Sequence, residues 1–443
     1  MTAVRPQPAP SRELVPFPTL DEISLHCLEP SEPETVHIEV HLPGRLDHEQ
    51  LRTAFREAMA RHPRILMRQT PSRWWHRRFV WELTAEPDIE PVTFTPAGRG
   101  ALEAARERTM TDCPPLDASP PVRMEAVETE GGGTVLMITI NHTAMDGPSF
   151  LRVLSTAAEI YSGHEHEEPP APAAKATPEP STPPPVAAPS APFRPVRIAG
   201  ESRSPADGNG MLLLDLPAPR RTPDGATVND QLLVATCLMA ARWNTEHGHA
   251  PGPVQITMPV DNRPRLSAEM PIGNGTRLTE VGFGPEERED RELLTANPPD
   301  KEAVARLLRR TMTRTHALKT DVNDHPMGLS GTILTTPIAP VAVRGVLART
   351  LSWAASPWKS TTLLSNIGRI PYPLEFAGAG KATAVWFSAP SRMPRGLAVT
   401  AASTAGRLHL TLRYSKARFD ATAAHRLAAL LQENLAACAG TSR

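Results

Sequence analysis

The sequence predicts a protein of mixed strands and helices built in two halves, on three observations. Runs with apolar residues at every second position are interspersed with runs spaced three and four apart, so strands and helices alternate along the chain. One stretch, residues 164–205, breaks that pattern with Pro, Ala, Glu and Ser and scarcely a large apolar side chain. Such a composition buries too little surface to offset its ordering entropy, so it is a linker. On either side of it, a chain of 443 residues leaves enough length for a substantial core. The expected organisation is a first half over 1–163, a semi-rigid linker over 164–205 and a second half over 206–443.

Composition narrows the class of function. Lys and Arg number 47 against 48 Asp and Glu, for a net charge of −1, which argues against nucleic-acid binding through a general basic field. Cys27, Cys113, Cys237 and Cys438 lie far apart with no Cys-x-x-Cys, so no zinc site or disulfide framework is indicated and a reducing cytoplasm is expected. The first ten residues lack the apolar core of a signal peptide, and no run approaches a membrane span.

Folded structure is expected from about Leu20. Thr35–Leu42 sets Val36, Ile38, Val40 and Leu42 against Thr35, His37, Glu39 and His41, a strand with one wet face carrying two exposed histidines. No third ligand is close enough to make these a metal site. Asp47 and Gln50 then form a capping-box pair ahead of a helix with the stripe Leu51, Phe55, Ala58 and Met59, which stops at His62-Pro63. Arg73-Trp-Trp-His-Arg-Arg-Phe79 alternates amphipathic side chains as a twisted strand would, although cations beside rings also suit a phosphate-bearing arm. Gly131-Gly-Gly133 makes a turn between paired strands.

Residues 134–140 are an unbroken β-branched and apolar run, a buried strand that ends in Asn141-His142. Gly147 stands where an N-cap belongs, Pro148 at the first helical position, and Phe150, Leu151, Leu154, Ala157, Ala158 and Tyr161 continue the helix until Gly163. His142 and Asp146 therefore occupy a strand-to-helix turn. A helix start offers free N–H groups and the positive end of the macrodipole, so an imidazole there can take a proton while the N–H groups hold an oxyanion. His142, Asp146 and Gly147 are the candidate catalytic residues.

The second half opens with a strand over 211–216, a Thr227 cap and a helix over 228–243 that is apolar almost all round. A strand over Val254–Val260 runs into Asp261-Asn-Arg263-Pro-Arg265, and Ile272-Gly-Asn274-Gly-Thr276 follows. Asp300 caps a helix with Ala303, Val304, Leu307 and Leu308 inward. A strand over 361–364 leads into Ser365-Asn366-Ile-Gly368. Three strands near 383–387, 396–403 and 407–414 are expected as a meander, before a last helix capped by Asp420.

Asn141-His142-x-x-x-Asp146-Gly147 resembles the His-His-x-x-x-Asp-Gly motif of nonribosomal-peptide condensation domains and related CoA-dependent acyltransferases, with Asn141 in place of the first His. Gly44-Arg-Leu46, Arg61-His-Pro63, Pro115-Leu-Asp117 and Ser365-Asn366-x-Gly368 resemble further segments of that family, so the likeness spans the chain from Gly44 to the last helix. It implies an α+β fold of two chloramphenicol-acetyltransferase-like lobes, each a mixed sheet with helices, and a tunnel between them. It implies His142 as general base, Arg263 as the partner of Asp146, and Asn274, Ser365 and Asn366 along the channel. The implied reaction is transfer of an acyl group from a thioester to the amine or hydroxyl of a small-molecule acceptor in natural-product biosynthesis, by direct attack. The co-substrate is an acyl-CoA or an acyl-phosphopantetheine on an acyl or peptidyl carrier protein, with no tightly bound cofactor. A stand-alone, monomeric enzyme is expected. Two other readings stay open: a wax-ester-type O-acyltransferase acting on lipids, suggested by Val228-Asn229-Asp230 with Ser365-Asn366, and a non-catalytic carrier-docking protein, suggested by Asn141.

Overall fold

The computed structural model describes residues 13–29, 32–164, 193–261, 263–264, 270–287, 289–320 and 334–440. The first half gives β1 (Glu13–Pro16), α1 (Thr19–His26), β2 (Thr35–Leu42), α2 (His48–Arg61), β3 (Met67–Gln69), β4 (Val80–Leu83), β5 (Val92–Thr95), α3 (Ala101–Thr111), β6 (Val122–Glu128), β7 (Thr134–Asn141) and α4 (Gly147–Tyr161). The second gives β8 (Asn209–Pro217), α5 (Val228–Glu246), β9 (Val254–Val260), β10 (Arg277–Phe283), α6 (Arg291–Thr295), α7 (Lys301–Thr320), α8 (Val341–Ala354), β11 (Thr362–Arg369), β12 (Glu375–Phe376), β13 (Gly380–Lys381), β14 (Ala384–Ser388), β15 (Leu397–Thr404), β16 (Arg407–Ser415) and α9 (Ala421–Gly440).

Two large mixed sheets make the two lobes. One has the order β14-β2-β7-β6-β5 and the other β10-β9-β11-β15-β16-β8. Each packs helices over an apolar core of its own. Val36, Ile38, Phe55, Ile138 and Phe150 are at the centre of the first, and Leu233, Trp243, Ile256, Leu410 and Leu427 at the centre of the second.

The expected meander does not form as such, because β14 leaves its neighbours in sequence and pairs antiparallel with β2 in the other lobe, Val385 opposite Val40 and Phe387 opposite Ile38. Alternation identifies a strand without saying which edge it joins. Val385 and Phe387 are buried in the first core, while Trp386 points the other way and donates its indole N–H to the carbonyl of Leu214, 3.1 Å away, in the second lobe. Arg413 ties the lobes again: wholly buried on β16, it donates to the carbonyls of Thr35 at 2.6 Å and Pro33 at 3.0 Å.

Other expectations change with the packing. β2 has no wet face: His37 and Glu39 are fully buried, because Arg106 of α3 reaches across that face and bonds both carboxylate oxygens of Glu39, at 3.0 and 2.6 Å. Burial would raise this carboxyl, but hydrogen bonds from His37, His41 and Arg106 hold it well below the usual range. Residues 73–79 are a loop rather than a strand, since β4 begins at Val80 and its neighbours β1 and β3 extend no further. Of the capping box on α2, Asp47 accepts the Gln50 N–H at 2.8 Å, whereas the Gln50 amide goes to the carbonyl of Tyr161. Among the described residues a strand, β1, already precedes Leu20. Residues 165–192 of the linker lie outside the described residues, and the next stretch already packs, with Ile198 buried in the second core.

Arg106→Ala leaves the Glu39 carboxylate buried without its main counter-charge. It is expected to lower the unfolding free energy by about 3 kcal/mol in urea titration, against under about 1 kcal/mol for an exposed pair.

Candidate active site

β7 delivers the chain to the lobe junction and α4 carries it away, and the turn between them is more tightly bonded than its sequence suggests. Asp146, not Gly147, is the N-cap: extended at φ −100° and ψ 169°, it accepts the Ser149 N–H at 3.1 Å. Asp is the stronger capping residue, because its carboxylate satisfies a donor that glycine leaves bare. Gly147 is then the first helical residue and Pro148 the second. Gly147 has no positive φ, and a Cβ there would stand 3.6 Å from Val36, an ordinary contact. The backbone turn does not demand a glycine. Gly147 instead lines the cavity, and its N–H is the one in the first turn that neither Asp146 nor proline chemistry removes.

His142 is held from both sides. Its N–H donates to the carbonyl of Glu34 at 2.8 Å, and its Nδ1 lies 3.2 Å from the carbonyl of Met145 within the same turn. A carbonyl only accepts, so the neutral ring carries its proton on Nδ1 and leaves Nε2 as the free base. Asn141 faces away from the cavity. Its amide donates to the carbonyl of Pro114 at 2.9 Å and its oxygen accepts the Thr143 N–H at 3.1 Å, which makes it a fully bonded turn residue.

The second lobe clamps this turn with Arg263. Its Nη2 lies 2.7 Å from Asp146 Oδ2, its Nη1 donates to Ser149 Oγ at 2.9 Å, and its Nε and Nη2 grip both oxygens of Asp261. The Gly275 N–H adds a bond to Asp146 at 3.0 Å. A Cβ on Gly275 would lie 2.4 Å from the Arg263 side chain, so the close approach of this guanidinium requires glycine there. Burial would lower the Arg263 guanidinium, yet the two aspartates hold it above its ordinary value. Asn274 completes the clamp, donating to the carbonyls of His142 at 2.9 Å and Thr143 at 3.1 Å and to Asp21 at 3.0 Å. Asp261, Ser149, Gly275 and Asp21 were not singled out from sequence. Only their contacts reveal them, because each is an ordinary residue in its own segment. Arg265 lies outside the described residues.

His142, Asp146, Gly147 and Asn274 border a cavity of about 420 Å³ between the lobes, together with Ser365 and Asn366 of β11. Asn366 accepts the Gly368 N–H at 2.8 Å, and the ladder to β15 bulges at this point. Leu20, Ile23, Val36, Met258, Leu363 and Phe387 supply much of the apolar wall. Asn229 also lines it, whereas Asp230 is spent on the capping box with Thr227 and on Thr315. Three cations, Lys319, Arg392 and Arg395, border the cavity. Arg392 is paired with buried Glu34, which burial would raise but Arg392 and its neighbours hold below the usual carboxylate range. Arg395 has no carboxylate within ion-pair distance among the described residues, and burial beside Arg392 pushes its guanidinium down to about 10. Among the described residues no group of three His, Cys, Asp or Glu is placed to hold a metal ion.

Asp146→Asn keeps a capping acceptor while removing the charge. Combined with Arg263→Ala, it is expected to lose less stability than the two single changes together, with a coupling of about 0.5–3 kcal/mol in a double-mutant cycle; additive losses would mean the pair contributes nothing. Asp21 supplies a pH test. Burial raises it from 3.8 to about 7, against the hydrogen bonds from Asn274 and Trp81. Between those values the folded chain holds a proton that the unfolded chain has lost, so the Asp21 contribution to stability falls as pH rises through that window. The stability of the wild-type chain relative to Asp21→Asn should therefore decline from pH 5 to 8, measured by urea midpoints.

No family model matches the chain. An uncharacterized protein from two strains of Mycobacterium tuberculosis is 28% identical over 434 residues, covering 90% of this chain and 94% of its own. The first condensation domain of the CDA synthetase superposes with a TM-score of 0.65 at 16% identity over 98% of each chain. A trichothecene 15-O-acetyltransferase from Fusarium sporotrichioides does so with a TM-score of 0.64 at 12% identity, over 96% of this chain and 95% of its own. At such identities the likeness is one of fold, and the chain has the two-lobed fold shared by that condensation domain and that acetyltransferase.

Proposed function

We propose that this protein is an acyltransferase that moves an acyl group from a thioester to the amine or hydroxyl of a small-molecule acceptor. The observation that carries this reading is His142, whose Nδ1 is engaged by its own turn and whose Nε2 is left free on a ring that borders an inter-lobe cavity. In this reading Nε2 takes the proton as the acceptor attacks the thioester carbonyl carbon. The carbonyl becomes a tetrahedral oxyanion beside the α4 N-terminus, where the Gly147 N–H and the helix dipole favour negative charge. Collapse breaks the C–S bond, and the imidazolium returns its proton to the leaving thiolate, so no acyl-enzyme is needed. Asp146 is a positioning residue. Both its oxygens are occupied by Ser149, Arg263 and Gly275, so it holds the turn rather than meeting substrate.

The donor is an acyl-CoA or an acyl-phosphopantetheine on a carrier protein, and Lys319 and Arg395 suit the phosphate that both contain. The fold shared with a condensation domain and an O-acetyltransferase supports the same class of chemistry. The apolar wall of the cavity favours an apolar acyl chain or acceptor, which keeps the lipid O-acyltransferase reading as the second choice. Asn141, being a bonded turn residue away from the cavity, lends no weight to a non-catalytic docking role.

Purified protein incubated with CoA-bound and carrier-bound acyl donors, with amine and alcohol acceptors, is expected to release free thiol and form one ester or amide detectable by mass spectrometry. His142→Ala should fold normally and lower that turnover about 10²–10⁴-fold, the usual contribution of a positioned general base. Undiminished turnover would remove His142 from the mechanism.

A further inference from the structure

The solvent side of α8 is more apolar than its packed side. At 100° per residue, Val343, Val346, Leu347, Leu351 and Trp353 fall within roughly 160° of the helix circumference, and all are exposed. The opposite side, packed toward α1 and the 73–79 loop, carries Val341, Arg344, Gly345 and Ala348. Arg344 is buried there against Glu22, with Nε 2.8 Å from Oε1, and donates to the carbonyls of Arg77, Thr336 and Ala339. A surface helix of a soluble protein ordinarily shows the reverse arrangement.

The apolar face continues beyond the helix. Ile338 and Trp353 are each 80% exposed, and Trp358 is 57% exposed. The 73–79 loop joins at the other end: the Val341 N–H donates to the carbonyl of His76 at 2.7 Å, and Trp74, 68% exposed, borders one groove with Val346 and Arg349. Single exposed apolar residues are normal, but a contiguous patch of this kind marks an interaction site. Its exposed charge is mostly basic: in the adjoining groove Glu82 is paired with Arg68, and Asp117 is the carboxylate that stands exposed. Residues 68–81 and 334–361 contain no Asp or Glu, while Arg73, Arg77, Arg78 and Arg349 are exposed there, on a chain whose net charge is −1.

We propose that this face is a docking surface for an anionic lipid bilayer. A convex apolar helix face with indoles at its ends and arginines at its edge matches the headgroup boundary. There Trp and aliphatic side chains enter the acyl region while guanidinium groups meet lipid phosphates. Attachment is lateral, since no helix among the described residues is long and apolar enough to cross a membrane. α8 packs its other side against α1 through Arg344 and Glu22, and Leu20, Ile23 and Ser24 of α1 line the cavity wall, so α8 and α1 are the layers between the bilayer and the site.

The test is sedimentation of the full chain with phosphatidylcholine vesicles and with vesicles of phosphatidylcholine mixed with phosphatidylglycerol, at low and high salt. The protein should pellet with the mixed vesicles, less so in high salt, with a blue-shifted tryptophan emission. Leu351→Ser combined with Trp353→Ser should weaken partitioning about tenfold or more, because binding scales with buried apolar area. Arg73→Glu combined with Arg349→Glu should do the same without touching the apolar stripe. Both variants should keep the wild-type thermal midpoint, and if the first fails to fold, the second decides. A chain that stays in the supernatant with both vesicles, or variants that partition like wild type, would overturn the proposal. So would a stable dimer in light scattering that the Leu351 and Trp353 changes disperse, since the face would then pair two copies.

Discussion

A guanidinium from one lobe holds the turn of the other. Arg263 sits between Asp146 and Asp261 and also bonds Ser149, so the first turn of α4 cannot shift without breaking a partly buried ion pair. Losing one partner of such a pair leaves a desolvated charge, far costlier than an exposed pair. Asn274 adds the same constraint on the carbonyls of His142 and Thr143. The backbone of the turn that carries His142 is thus held by residues more than a hundred positions away. The cavity it borders exists only while the lobes stay in register.

That register has its own supports. β14 is donated by the second half of the chain to the sheet of the first, and its two faces do different work: Val385 and Phe387 fill one core while Trp386 bonds the other lobe. Arg413 answers carbonyls of the opposite lobe with a charge that burial pushes down to about 10. Glu34, whose carbonyl receives the His142 N–H, spends its carboxylate on Arg392 from the segment after β14. Interdomain contact, electrostatics and the position of the proposed base are therefore one network.

The two proposed surfaces fit this architecture. The cavity lies where the lobes meet and collects its polar groups from both, while the apolar face of α8 is turned outward. A bilayer on that face would lie against α8, which packs in turn on α1, a helix that forms part of the cavity wall. The apolar lining around Ile23, Leu363 and Phe387 suits an apolar co-substrate drawn from such a surface.

Sequence by itself determined the local elements wherever a short-range period or cap sufficed. The β7 run, the stripe of α2, the Thr227 and Asp300 caps, and the strand-to-helix turn bearing His142 and Asp146 were legible because the residues that form them are neighbours. The resemblance of Asn141 to Gly147 to a known motif directed attention to Arg263, whose contact with Asp146 spans 117 positions. Tertiary structure decided what periodicity cannot encode. It buried the polar face of β2 under Arg106, moved β14 to the other sheet, and made Asp146 the cap in place of Gly147. It gave Asn141 a turn-bonding role and turned the apolar side of α8 outward. A strand shows which of its residues share a face, but what covers that face depends on contacts closed by distant chain, and these have no local signature.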